Sequence, residues 1–224
     1  MESESGPRGP SPWRPRLALG MALLALAGFV DALGVCAFGL FPAFMSGDTT
    51  NLALAPLRAD GVRAPALAGV VVLFVTGAFL GRLVRLHTAR RWPVLALEAG
   101  VLGIAAMNAH AGIGLGALSC AVAAMGMQAT VLTHAGAMPV GATYVTGTLA
   151  RLGAGLADAL AGARDGAWAA QLLLWISLAA GAAGGGLCYG RFGLDSLLVA
   201  AVACAALAAA TGLRERRGDT GRTA

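Results

Sequence analysis

The sequence predicts an all-α integral membrane protein with six transmembrane helices in an inverted 3+3 repeat, each half carrying an extra broken or re-entrant half-helix. Composition is the first indication, since 58% of the residues are hydrophobic and 12% are charged, about half the charge of a typical soluble domain. Long apolar runs are the second. The third is a phrase that recurs a hundred positions apart, as Ser46-Gly47-Asp48-Thr49 and as Thr146-Gly147-Thr148-Leu149.

Six spans follow from the rule that about twenty apolar residues cross a bilayer. They are Leu17–Phe41, Ala64–Leu86, Pro93–Asn108, Gly112–Leu132, Ala167–Tyr189 and Leu194–Leu213. The polar, proline-rich residues 1–16 predict a disordered N-terminal tail, and residues 214–224 predict a cytoplasmic C-terminal tail. Residues 17–213 then form a single transmembrane domain, with repeat halves at about 17–109 and 112–213.

Two further runs, Gly47–Leu57 and Gly147–Gly162, are polar at the front and apolar behind. The first would be only about 17 Å long as a helix, roughly half a hydrocarbon core. We interpret both as re-entrant or interfacial half-helices. With six spans, 13 of the 16 basic residues, all of them Arg, fall on the side of the N-terminus. Because cytoplasmic loops carry excess Arg, this predicts a multi-pass membrane protein with both termini cytoplasmic.

The repeat has other anchors besides the half-helices. Gly28–Ala32 occupies the place that Gly126–Thr130 holds in the second half, and Gly77–Gly81 matches Gly181–Gly185. Three spans per half give the halves opposite orientations, and inverted repeats with interrupted helices are typical of secondary transporters. The paired glycines are packing motifs, either within the chain or across a homodimer.

These phrases resemble the YoaK family of bacterial membrane proteins. The resemblance covers most of the chain and depends on four segments, which are Gly28–Ala32, Met45–Thr49, Met125–Ala129 and Thr143–Leu152. The Tyr-Val-Thr-Gly-Thr phrase inside the last segment is the most specific part. The resemblance implies a six-span inner-membrane protein of an uncharacterised family, sometimes described as a transporter, with no substrate and no established site.

The chain departs from that family pattern in three places. The family usually reads Thr-Gly-Asn where this chain has Ser46-Gly47-Asp48, so an extra carboxylate is present here. It often has Gln-Asn where Gln128-Ala129 stands, and an Arg near Thr133-His134. A role for that second amide or that Arg therefore does not carry over.

Polar residues at the breaks are the candidate ligand-binding site. Ionisable residues inside spans usually face the bundle interior and mark ion or substrate pathways, while helix starts gather free N–H groups and the positive dipole end. The candidates are Asp31, Gly47, Asp48, Thr49, Thr50, Asn51, Gln128, Thr146, Gly147 and Thr148. We expect the two half-helix starts to face each other near the bilayer centre, with Asp31 close by.

A structural reading stands beside each of these assignments. Asp31 could lock two helices through hydrogen bonds, Ser46 or Asp48 would cap the first half-helix, and Gln128 favours a hydrogen bond between helices.

Two charged residues outside the candidate set have open roles. Glu98 could pair with Arg91 or point inward. Arg151 could counter Asp31 or Glu98, or reach lipid phosphates.

The preferred function is a small secondary transporter of an unidentified small polar solute or ion, with its site between the two half-helix starts. The alternative is a non-transporting membrane scaffold or partner-binding protein. The sequence carries no Walker motif, no Gly-x-Ser-x-Gly and no HExxH, so we expect no enzyme activity. We also expect no cofactor, no metal and no nucleic-acid partner, because the basic residues form no patch with aromatics. The expected partner is the lipid bilayer.

Overall fold

The computed structural model describes residues 13–57, 63–131, 145–162 and 166–220. These residues form eight α-helices and one 3-10 turn, which confirms the all-helical class. In chain order they are α1 (Trp13–Phe38), α2 (Met45–Leu54), α3 (Arg63–Thr88), α4 (Trp92–His110), α5 (Gly114–Ala129), α6 (Val145–Leu160), α7 (Ala167–Phe192), the 3-10 turn (Gly193–Ser196) and α8 (Leu197–Thr220).

Four stretches of described helix are long and apolar enough to cross a membrane. They are Leu17–Phe38, Ala64–Thr88, Trp92–His110 and Trp168–Arg217. The fourth stretch is 50 residues long and contains α7 and α8 with the 3-10 turn between them. The apolar helix α5 is shorter, at 16 residues. Large hydrophobic side chains are exposed on these helices, as expected for surfaces that face lipid.

The helix ends differ slightly from the predicted bounds. α1 begins at Trp13, so the last residues of the predicted N-terminal tail are helical, while residues 1–12 lie outside the described part. α8 continues to Thr220, beyond the predicted end of the last span at Leu213. The first short helix begins at Met45 and ends at Leu54, and the second begins at Val145.

Glycine allows the closest approach between α1 and α7. A Cβ on Gly28 would overlap the carbonyl oxygen of Leu178, and a Cβ on Gly181 would overlap that of Ala25. Gly185 lies against the Phe29 backbone in the same way. Only a residue without a side chain fits at these points, because backbone cannot yield as the tip of a side chain can.

The α3 and α5 pair is built from the same device. A Cβ on Gly77 would overlap the carbonyl oxygen of Ala123, and a Cβ on Gly126 would overlap that of Phe74. Gly81, which is buried, lies against the Met127 backbone. The four motif glycines are therefore used for packing within the chain, which is the first of the two predicted alternatives. A homodimer through these faces stays a prediction.

The remaining contacts place α4 and the two short helices. α4 packs on α5 and α8, and its apolar side chains join the main buried core with residues of α1 and α5. α2 packs on α3, and α6 packs on α7. Among the described helices, α2 and α6 share no extensive contact with each other.

Candidate functional site

The loop between α1 and α2 folds back onto α1. The chain turns at Gly39, whose φ of 66° lies in the left-handed region that glycine favours. Gly34 leaves room for the loop, because a Cβ there would meet the Pro42 ring and the Leu40 carbonyl oxygen. Residues 39–44 are thereby placed directly beside the half of α1 that carries Asp31.

Asp31 holds this loop from the α1 side. Its Oδ1 accepts a hydrogen bond from the Ala43 backbone N–H at 2.6 Å. Three residues at the α1 end therefore act together on the loop: Asp31 supplies the acceptor, while Gly34 and Gly39 permit the approach.

Asp48 holds the same loop from the α2 side. Its side chain is 0% exposed, and its Oδ2 accepts the Phe41 backbone N–H at 2.9 Å. Its Oδ1 is buried and has no hydrogen-bond partner among the described residues. Two carboxylates from different helices thus converge on one short loop, and one of their oxygens is left unsatisfied.

The expected N-cap of the first half-helix was wrong. The cap position is Phe44, which makes no side-chain capping bond, and α2 already includes Ser46 and Asp48. The physical reason is that the Asp48 carboxylate turns back to the Phe41 N–H, outside the helix, instead of to an N–H of its own first turn. The loop N–H of Phe41 therefore binds the carboxylate oxygen that would otherwise cap α2.

The other candidates of the first break lie apart from this carboxylate pair. Thr49 and Thr50 are exposed, and the Thr50 hydroxyl donates to the Ser46 carbonyl oxygen within α2 at 2.9 Å. Asn51 is half-buried. Gly47 packs on an aromatic ring, since a Cβ added to it would lie 2.7 Å from the Phe44 ring. Of this break, only Asp48 joins Asp31.

The second break has a different chemistry. Thr148 is buried, and an Arg151 guanidinium nitrogen lies 3.4 Å from its hydroxyl oxygen. The Arg151 Nε donates to Oε1 of Gln171, a buried amide of α7, at 3.5 Å. Thr146 is exposed, and Gly147 lies beside the Arg151 guanidinium. The polar residues Thr143 and Tyr144 that precede α6 lie outside the described residues.

The two breaks contact different helices, α3 for the first and α7 for the second. A site shared between the two half-helix starts therefore stays a prediction.

Gln128 connects two helices, as its structural reading predicted. Its Nε2 donates to the Leu23 carbonyl oxygen of α1 at 2.9 Å, and the side chain is 3% exposed. Its Oε1 is buried without a hydrogen-bond partner among the described residues. Gln128 therefore joins α5 to α1 through a hydrogen bond.

Among the described acidic residues that the candidate set left out, Glu98 is the most buried. Its side chain is 0% exposed, and neither carboxylate oxygen has a hydrogen-bond partner among the described residues. The Cys204 thiol of α8 lies beside it and donates to the Leu95 carbonyl oxygen at 3.3 Å. The pairing with Arg91 is not formed; the Arg91 backbone N–H instead donates to Glu215 Oε1 at 3.1 Å. A carboxylate inside the apolar run of α4 was the signal for it.

Two other polar contacts were missed. Arg85 of α3 donates to the Thr130 and Val131 carbonyl oxygens at 2.6 and 3.2 Å, at the C-terminal end of α5. A cation there satisfies carbonyls that the helix leaves free and lies at the negative dipole end. Gln171, the acceptor for Arg151, could have been noticed as an amide in an otherwise apolar run. Among the described residues, no group of three or more His, Cys, Asp and Glu could hold a metal ion.

The apolar helices and the polar groups buried between them define a multi-pass α-helical membrane protein. The chain belongs to the family described as Protein of unknown function (DUF1275), whose model matches residues 19–210. It is also 32% identical over 201 residues to UPF0700 transmembrane protein RA0705 of Rhizobium meliloti (strain 1021), with 88% of each chain covered. No solved structure matches the chain. The predicted uncharacterised membrane family is confirmed, and the name YoaK for it stays a prediction.

Proposed function

We propose that this protein is a small secondary transporter of a small polar solute or ion, and not an enzyme. In this proposal six spans, α1, α3, α4, α5, α7 and α8, form an inverted 3+3 repeat in the bacterial inner membrane with both termini cytoplasmic. The short helices α2 and α6 are the broken elements of the two halves. Such folds carry their sites at interrupted helices near the bilayer midplane.

The glycine contacts support the repeat. Gly28 of α1 and Gly126 of α5 are matched in the sequence, as are Gly77 of α3 and Gly181 of α7, and all four lie at a helix contact. The first helix of one half packs on the third element of the other half in both cases, α1 on α7 and α5 on α3. That exchange is expected if a two-fold operation relates the halves.

The observation that carries the transport proposal is the buried Asp48 carboxylate. Burying a carboxylate is costly unless it is paired, and inside a membrane such groups usually mark ion or substrate pathways. Asp48 lies at the first break, shares its loop with Asp31, and retains an oxygen without a partner among the described residues. A proton, a metal cation or a solute ammonium would each satisfy that oxygen.

The second break would complete the site from the other half. Thr148 takes the place of Asp48 a hundred residues later, and both side chains are buried. The residues Thr146, Gly147 and Thr148 would then present hydroxyl and N–H groups at the second helix start, where a polar or anionic part of a solute is favoured.

A non-transporting scaffold is the second candidate, and one observation favours it. Asp31 and Asp48 already bind backbone N–H groups of residues 43 and 41, so each contributes to the fold without any ligand. If that is their whole purpose, replacing them changes stability and nothing else.

The two proposed functions predict different solute concentrations in living cells. We would compare intracellular and extracellular metabolites and ions in a deletion strain that expresses the wild type, Asp48→Asn or the control Asp195→Asn. Asp195 is a half-exposed carboxylate beside His110 at the far end of α7. For a transporter, at least one pool follows the wild type and the control but not Asp48→Asn. Identical pools in all strains, at equal amounts of membrane-inserted protein, would support the scaffold.

A further inference from the structure

An apolar groove runs between α1, α7 and α8. Its volume is about 750 Å³, and small side chains line most of it, with Phe29 as the largest. Residues that line it include Ala25, Gly184, Ala203 and Ala206. In the predicted repeat, α4 corresponds to α8 and α5 corresponds to α1. Within the described residues, α4 and α5 pack closely, whereas α8 and α1 have fewer contacts and leave this space between them.

A charged pocket of about 370 Å³ adjoins the groove. Leu207 and Ala210 line both spaces, so the two lie side by side along α8. The charged side chains that line this pocket are Arg91, Arg214 and Glu215. The Glu215 carboxylate is turned into the protein, because Oε1 accepts the Arg91 backbone N–H and Oε2 is buried. The lining therefore carries two positive charges and one negative charge.

The length of the groove matches one leaflet of a bilayer. From Val199 to Ala210 along α8 is about 16 Å at 1.5 Å per residue, about half of a hydrocarbon core of roughly 30 Å. The charged pocket lies where the apolar part of α8 ends, beside the first turn of α4. The apolar space, the basic pocket and their order along the helix thus match an acyl chain with a negative headgroup.

We propose that this groove binds an anionic phospholipid, with an acyl chain along α1 and α8 and the headgroup phosphate between Arg91 and Arg214. Guanidinium groups hold phosphate oxygens through charge-assisted hydrogen bonds. Basic pockets between transmembrane helices bind anionic headgroups for this reason. The site is independent of transport at the breaks, since none of the candidate residues there lines it.

Lipid titration of the purified full chain, followed by native mass spectrometry, tests the proposal. The probes are phosphatidylglycerol and phosphatidylcholine of equal chain length. We expect the wild type to prefer phosphatidylglycerol. The double variant Arg91→Gln/Arg214→Gln should lose about thirtyfold in phosphatidylglycerol affinity, because it removes two charges near the membrane surface. The control Arg82→Gln/Arg191→Gln removes the same charge from exposed positions outside the pocket and should keep the preference.

A second pair of variants tests the acyl chain. Ala203→Phe fills the groove, whereas Val202→Phe adds a ring at an exposed position of α8 outside it. Ala203→Phe should weaken the binding of both lipids, and Val202→Phe should weaken the binding of neither. Size-exclusion elution and helical circular dichroism check that the variants fold. Ala206→Leu is a milder substitution in the groove if Ala203→Phe does not fold. Equal phosphatidylglycerol affinity for the wild type and the double Arg variant overturns the proposal. So does equal binding by the two Phe variants, displacement by inorganic phosphate alone, or a dimer that Ala203→Phe abolishes.

Discussion

The two breaks begin with the same kind of dipeptide, a hydroxyl residue followed by glycine: Ser46-Gly47 and Thr146-Gly147. The charged groups that bind at the two breaks have opposite signs. At the first, two carboxylates bind the backbone of the preceding loop. At the second, a guanidinium joins a threonine hydroxyl of α6 to an amide of α7. Position 48 carries an acidic group and position 148 a neutral one, although both are buried.

Helix packing differs far less between the two halves. The α1 and α7 contact and the α3 and α5 contact both place glycine against a carbonyl oxygen of the facing helix. Close backbone approach restricts the residue to glycine, whereas a polar contact can be made by several residue types. Close packing therefore restricts both helix contacts to glycine, whereas the polar groups at the two breaks differ.

The largest expected effect lies in the glycine contacts. Gly77→Val and Gly181→Val should each lower the free energy of unfolding by about 3 kcal/mol or more, because the new side chain meets backbone and the helices must separate. The measurement is unfolding in mixed detergent micelles. Similar losses for the two variants would support the equivalence of the two helix pairs.

Each helix supplies its own control for that substitution. Gly69 of α3 and Gly186 of α7 have no described atom within 4 Å of an added Cβ, outside their own helix backbone and chain neighbours. Gly69→Val and Gly186→Val should therefore change the free energy of unfolding by less than about 1 kcal/mol, because Gly and Val differ by less than that in helix propensity. If a control loses as much as its partner, close contact with the facing helix does not explain the loss.

The next effect tests the first break. Asp31→Ala and Asp48→Ala should each cost about 1–3 kcal/mol, because each leaves a loop N–H without its acceptor. The double variant should cost less than the sum of the two, since both carboxylates hold one loop. The same unfolding measurement provides all three values.

Additive losses would show that the two carboxylates act independently. Asp195→Ala is the matched control, because that carboxylate is more than half exposed and should change stability by less than about 0.5 kcal/mol. A loss at Asp195 as large as at Asp48 would contradict the assignment of the cost to burial.

The apolar runs of the sequence predicted the helices, and their observed bounds mostly lie within a few residues of the expected ones. The six-span inverted repeat stays a prediction. The glycine pairs predicted close packing because few other reasons place two glycines one turn apart in a span. The hydrogen bond of Gln128 to another helix was also predicted, because an amide inside an apolar helix needs a partner. Its contact with a ligand stays a prediction.

The contacts of the site could not be predicted in the same way. That Asp48 binds the N–H of Phe41 depends on the path of the loop, which Gly34 and Gly39 set and no periodic pattern reveals. The acceptor for Arg151, Gln171, lies on the next helix, and nothing in the spacing relates the two. Likewise, the carbonyls bound by Arg85 belong to the end of another helix.

A smaller effect is expected at the second break. Thr148→Val keeps the side-chain shape and removes the hydroxyl that lies 3.4 Å from the Arg151 guanidinium. Hydrogen bonds between side chains in membrane proteins average about 0.6 kcal/mol, so the loss should be near that value. The control is Thr76→Val, which removes an exposed hydroxyl bonded only to its own helix in the described residues. A loss at Thr148 equal to that of Asp48→Ala would remove the contrast between the breaks.

The smallest effect is expected for Gln128→Leu. The variant loses the bond from Nε2 to the Leu23 carbonyl oxygen, but it also removes an Oε1 that is buried without a partner among the described residues. Losing the hydrogen bond lowers the free energy of unfolding, and removing the unpaired oxygen raises it. The free energy of unfolding should therefore change by less than about 0.6 kcal/mol. The first half already has an apolar residue, the fully buried Val30, at the matching place. If Gln128→Leu leaves stability unchanged yet alters the same solute pool as Asp48→Asn, the amide contacts the solute. If neither stability nor any pool changes, Gln128 is excluded from the site, and the second half contributes through α6 alone.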